Sequence, residues 1–154
     1  MTIPGGFIAG DVLTAASVNL LPAGVEGGGY AERTSDQGSI TSVADLTSLT
    51  VTFTAVAGRR YRASVQCAVA QTVIDGQYFL MLKEGATVLQ RFSRMNATTN
   101  ESYTGHFSYC NNASISGSKT WKVTLERDSG TASLTATAAA TRPNFILIED
   151  IGEL

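Results

Sequence analysis

Charged side chains are scarce in this chain. They make up 16% of its 154 residues, against roughly a quarter in an average domain. Lys and Arg number 11 and Asp and Glu 13, which leaves a net charge of −2. No basic excess is present to neutralise phosphates, so no nucleic-acid partner is expected. The densest basic group, Arg59-Arg60-Tyr61-Arg62, follows a turn at Gly58 and reads as the start of a strand. No apolar run reaches the ~18–20 residues of a membrane helix, so no membrane insertion is expected. The N-terminus lacks a basic stretch followed by an apolar one, so no signal peptide is read there. The expectation is a protein made in a cytoplasm that, if it acts outside a cell, leaves by another route, release by lysis being one.

Reactive side chains are few as well. There is one histidine and there are two cysteines. Cys67 and Cys110 fall in predicted strands and read as reduced core residues. Together with His106 they do not make a zinc site, and no metal or other cofactor is called for. No Gly-x-Ser-x-Gly elbow is present, and His106 reads as a strand residue hydrogen-bonded to a neighbour. The acids Asp36, Asp45, Asp75, Glu84, Glu101, Glu126 and Asp128 fall mostly at turns or strand ends, where solvated carboxylates sit, rather than in a glycosidase pair. Asp75-Gly76 and Asp128-Ser129-Gly130 read as turns, lacking the repeated acidic spacing of a calcium loop. No reaction is legible, and a non-enzymatic protein is expected.

What is abundant is Ser, Thr and small residues in alternating patterns. Leu49, Val51 and Phe53 alternate with threonines. Tyr61, Ala63, Val65, Cys67 and Val69 alternate with polar residues, as do Trp121, Val123 and Leu125. Further strands are read at Ile40–Val43, Tyr78–Leu82, Thr87–Arg94, Glu101–Tyr109, Ala132–Ala139 and Asn144–Ile151. Asp75-Gly76 gives a hairpin signal and Glu84-Gly85 a second turn. Roughly eight to ten short strands at even spacing predict an all-β, antiparallel β-sandwich. A jelly roll is preferred to an immunoglobulin-like order, because many strands are long and the terminal one looks central.

Residues 1–29 differ from the rest. Pro4-Gly5-Gly6, Pro22-Ala23-Gly24 and Gly27-Gly28-Gly29 punctuate them. Thr14 is placed to cap a short helix over 15–21. The division is therefore an N-terminal arm with a glycine hinge at 1–29 and a β domain at 30–154. A helix so short is not stable alone. Phe7, Val12, Leu13, Val18 and Leu21 need a surface, either the β domain or a partner.

Three further sets of residues are singled out. Ala136, Ala138 and Ala140 lie on a strand of small residues that packs closely on the opposite sheet or on a neighbouring subunit. Asn96, Asn100, Asn111 and Asn112 sit in polar loops suited to a variable recognition surface. The sequons at Asn96, Asn100 and Asn112 read as chance matches. Tyr78, Phe79, Tyr103, Tyr109 and Trp121 offer either core or a sugar-stacking face.

The opening Gly10-Asp11-Val12-Leu13-Thr14-Ala15-Ala16-Ser17-Val18-Asn19 resembles a segment that recurs at the start of bacteriophage tail, fibre and other virion surface proteins. The stretch from Ile40-Thr41-Ser42-Val43 to Gly58-Arg59-Arg60-Tyr61 is similar to such proteins, especially those of phages of actinobacteria. So is the ending Thr141-Arg142-Pro143-Asn144-Phe145 through Ile151-Gly152. The resemblance implies a virion structural protein, a capsid decoration protein, minor tail protein or head fibre, and by analogy a homotrimer. It brings no catalytic residues. Only a glycine hinge separates arm from domain, which suits a decoration protein or small knob better than a full fibre. Docking through Phe7, Val12, Leu13, Val18 and Leu21 on major capsid or tail proteins is the expectation. The alternative is a carbohydrate-binding module for a glycan on a bacterial cell surface.

Overall fold

Period-two alternation puts one set of side chains on each face of a strand, and here it sorts the chain into two sheets with a shared interior. The structure is a computed structural model that describes residues 28–71, 77–95 and 103–154. Ten strands form: β1 (Gly29–Arg33), β2 (Gln37–Ile40), β3 (Val43–Ala55), β4 (Arg59–Gln71), β5 (Gln77–Glu84), β6 (Thr87–Met95), β7 (Tyr103–Cys110), β8 (Gly117–Ser129), β9 (Leu134–Thr137) and β10 (Asn144–Glu153). Every pairing is antiparallel. No helix occurs among the described residues. The predicted helix at 15–21 and the five apolar arm residues lie outside them.

Sheet I has the order β1-β10-β4-β9-β2, with β7 also on β4. Register resolves the branching. β7 takes one edge of β4 along Arg62 to Val69, while β10 takes Arg59 to Gln66 and β9 takes Ala68 to Gln71. β10 and β9 therefore share the other edge end to end. β1 on β10 and β2 on β9 are likewise end to end. Sheet I is thus four columns wide: β1 with β2, β10 with β9, β4, and β7. Sheet II is β3-β8-β5-β6.

The core between them holds the alternating residues the pattern selects. Leu49, Val51, Phe53, Tyr61, Val65, Trp121, Val123 and Leu125 are all buried. Trp121 meets Phe53 edge to face at 5.0 Å and Tyr109 at 5.5 Å. Leu46 and Leu49 are both fully buried although an odd spacing would put them on opposite faces. A register shift between Asp45 and Thr50, with Ser48 at φ 68°, turns the strand so that both face inward.

Four expectations are corrected. β4 and β5 lie in different sheets, so they do not pair as the two arms of a hairpin; the Asp75-Gly76 signal itself lies outside the described residues. The strand of small residues is Leu134–Thr137 only, because Ala139 and Arg142 pair backbone to backbone in a tight turn. Gly29 belongs to β1, opposite Ile148. A Cβ there would lie 2.5 Å from Val51 Cγ1, so glycine permits β1 to approach β3. Cys67 is buried as expected, and burial pushes its thiol up to about 12, but Cys110 is exposed on edge strand β7.

Candidate functional site

The outward residues of sheet I form its least self-contained surface. On β4, Arg62, Ser64 and Gln66 alternate with buried Ala63, Val65 and Cys67. Register places Ser64 opposite Ser108 on β7 and Leu147 on β10, and Gln66 opposite His106 and Phe145. At one end the face is ionic. Arg62 bonds Glu149 at 2.8 Å and Arg59 bonds Asp150 at 2.8 Å, both from β4 to β10. Two of the three arginines of the basic cluster are thereby spent on partners across the sheet, while Arg60 is exposed.

Beyond those pairs the character changes. Ser64, Val65, His106, Phe107, Ser108 and Phe145 line an open pocket of about 250 Å³. Phe145 is half-buried, and its ring lies 5.9 Å from that of Tyr30, which is 55% exposed. The Tyr30 hydroxyl donates to Glu32 at 2.7 Å, and that bond, with some burial, raises the phenol above its ordinary value. Gln66 Nε2 donates to the Pro143 carbonyl at 2.9 Å. Among the described residues, the side chains of Ser64, Ser108 and His106 have no hydrogen-bond partner. His106 thus departs from the expected bonded strand histidine: it is exposed and lines the pocket. The backbone shapes this rim. Gly105 leaves room for the Phe107 ring, which would lie 2.4 Å from an added Cβ and which stacks on Phe92 at 5.3 Å.

The predicted site residues are not brought together. Asn96 and Asn100, like the arm residues, lie outside the described residues. Asn112 is exposed. Asn111 is only 3% exposed, and its side chain is closed off from any recognition surface. Its Oδ1 accepts from the Tyr61 backbone N–H, and its Nδ2 donates to the Arg59 and Ala113 carbonyls at 3.2 and 2.8 Å. The loop asparagine is a clamp on the start of β4. Ala136 is fully buried within its own chain, opposite Val69, so it is not free to meet a neighbour. Ala138 is half-buried and donates its N–H to Asp36, and Ala140 is exposed in the turn, so the three alanines share no face.

The aromatic residues read as a stacking face go elsewhere. Tyr78 and Trp121 are buried, Tyr109 packs on Trp121, and Phe79 lies under the Arg91 guanidinium at 4.6 Å. Among the described residues, exposed Tyr30 and half-buried Phe145 form a ring pair on the outer face of sheet I, which sequence reasoning missed. Its only sequence signal was that both interrupt otherwise aliphatic or polar strands at outward positions.

No group of three or more His, Cys, Asp or Glu among the described residues is placed to hold a metal ion.

No protein-family model and no curated protein matches this chain. Solved structures do. Dimeric latent PorU from Porphyromonas gingivalis is similar over 83% of this chain, at 9% identity and a TM-score of 0.51. This chain spans 13% of that one. At such identity the likeness speaks to the fold alone. A structure of infectious bursal disease virus Gx strain matches over 83% of this chain and 39% of its own, at 12% identity and a TM-score of 0.40. Eiger TNF from S. frugiperda matches over 84% and 96%, at 8% identity and a TM-score of 0.40. The last two scores are too low to argue from.

Proposed function

We propose that this protein is a non-enzymatic structural component of a bacteriophage particle. It is a β-sandwich knob displayed on the particle surface, as a capsid decoration or minor tail protein. The N-terminal segment that precedes β1 attaches it to major capsid or tail proteins through Phe7, Val12, Leu13, Val18 and Leu21. The knob is a jelly roll and assembles as a homotrimer.

The observation that carries this reading is the strand order. With each broken column counted once in chain order, sheet I runs first, eighth, third, sixth, and sheet II runs second, seventh, fourth, fifth. That order supports a jelly roll, a fold at home in virus shells. The sequence resemblance at both ends points the same way. β1, the first described strand, lies in an edge column of sheet I. Because Ala136 is buried, the alanine strand is dropped as the trimer seam.

The test is truncation. Protein lacking residues 1–27 should keep its β-type circular dichroism and cooperative melting but fail to co-purify with particles that incorporate the full chain. Incorporation of the truncated protein would overturn arm attachment. Light scattering on the full chain should give three times 16.2 kDa. A monomer mass would remove the preassembled trimer.

A further inference from the structure

We propose that the pocket between β10, β4 and β7 binds an uncharged sugar ring. This goes beyond the particle reading and does not depend on it, since it uses sheet I rather than the arm.

The lining sets the ligand chemistry. Phe145 offers an apolar ring at the pocket's edge, with the Tyr30 ring tilted beside it. Ser64, Ser108 and His106 offer two hydroxyls and an imidazole with no partner among the described residues. A polar group without a protein partner is free to exchange its water for a ligand hydroxyl at little cost. The ligand that satisfies both halves has an apolar face on one side and several hydroxyls around its rim, which describes a pyranose or furanose.

Charge decides between sugar and anion. The Arg62 guanidinium, two residues before Ser64 on the same outward face of β4, is taken by Glu149. The Glu32 carboxylate, opposite Phe145 in the register of β1 and β10, already accepts from Tyr30. No Lys, Arg, Asp or Glu lines the pocket to hold a phosphate or an ammonium, so the expected ligand is neutral. Size limits it further. At about 250 Å³ the pocket is below the usual range for drug-sized ligands, so it takes one ring and leaves the rest of a glycan in solvent. Weak binding per site is expected, on the order of millimolar, and copies on one particle would compensate by avidity.

The experiment is a titration of the ¹⁵N-labelled full chain with methyl glycosides of glucose, galactose, mannose, rhamnose, arabinofuranose and N-acetylglucosamine. At least one should shift amides at 64–66, 106–108 and 145–147 while leaving 50–54 and 118–122 on sheet II unmoved. The double variant Ser64→Ala/Ser108→Ala should weaken binding about fivefold or more, as the loss of one or two net hydrogen bonds requires. Phe145→Leu, which keeps bulk but removes the ring, should weaken it further with the remaining spectrum unchanged. The proposal is overturned if none of these sugars shifts those amides at about 50 mM, well above the expected constant. It is overturned equally if the variants bind as well as wild type, or if inorganic phosphate alone produces the same shifts. Particle incorporation of the same variants should stay normal, which separates this site from the arm.

Discussion

The outer faces of the two sheets share one backbone geometry and differ in how their polar groups are spent. On sheet II the polar groups bond one another. Asp45 accepts from Lys122 and Thr124, Glu126 lies 3.6 Å from Arg91, and Arg91 covers Phe79. Met81 and Thr124, outward by register, are fully buried in this cover. On sheet I only the end near Arg59 and Arg62 is closed in this way, and the region around Phe145 is left with unbonded hydroxyls and an imidazole. A face whose polar groups are mutually satisfied is complete in water. A face that pairs an aromatic ring with unsatisfied polar groups keeps capacity for something else. The contrast is the reason the proposed sugar site is placed on sheet I.

The strongest way to break the comparison is to remove what both faces rest on. Trp121 belongs to sheet II but reaches Tyr109 of sheet I. Trp121→Ala should cost about 3–5 kcal/mol and be read as a lower midpoint in guanidinium unfolding. Both faces should unfold in one transition. Two separate transitions would mean that the sheets are not a single cooperative unit.

A smaller effect is expected from Asn111→Ala. It leaves the buried Tyr61 N–H and the Arg59 carbonyl without their partner, at about 1–3 kcal/mol. Asn112→Ala, its exposed neighbour, should stay within about 0.5 kcal/mol of wild type. Equal costs would restore Asn111 to the recognition loop that the sequence suggested.

Smaller again is the electrostatic closure of sheet II. Desolvation alone would push the Asp45 carboxyl up, but hydrogen bonds from Lys122 and Thr124 outweigh it and hold it below its ordinary value. A lowered folded value contributes stability that is fully present above the unfolded carboxylate range and is lost as pH falls through the folded value. Asp45 is half-exposed, so the solvent-screened contribution is about 0.5 kcal/mol. Asp45→Asn should be less stable than wild type by that amount at neutral pH. The gap should close below about pH 4. A gap that persists in acid would assign it to packing rather than charge.

Much of the sandwich was legible because alternation is a local property. The inward residues of β3, β4 and β8 could be marked one by one, and Asn144–Ile151 was read as a central terminal strand. That β4 and β5 belong to different sheets was not legible, since Asp-Gly marks a tight reversal and does not say which sheet receives the next strand. Burial of Asn111 was hidden for a similar reason: a polar loop residue becomes core only when distant Tyr61 presents its backbone. The pocket was invisible because no two of its three columns, β4, β7 and β10, are consecutive in sequence. His106 was noticed for its rarity, but its value lies in Ser64 and Phe145, which no spacing rule connects to it.

The finest test compares two hydroxyl pairs of the same design. Thr52 and Thr120 face each other across β3 and β8 on sheet II, and their hydroxyls bond at 2.8 Å. Ser64 and Ser108 face each other across β4 and β7 on sheet I, and theirs do not bond. Cross-strand pairs contribute roughly 0.2–1 kcal/mol when they interact. Thr52→Ala should therefore cost a few tenths of a kcal/mol, with part of the loss absent if Thr120 is already alanine, as a double-mutant cycle would record. Ser64→Ala and Ser108→Ala should cost nothing measurable and show no coupling, since neither hydroxyl satisfies the other. Coupling between the serines would mean that sheet I is closed like sheet II and that its hydroxyls are not in reserve. Stability that is unmoved while sugar binding falls would place those two hydroxyls outside the fold's own energetics and inside the site's.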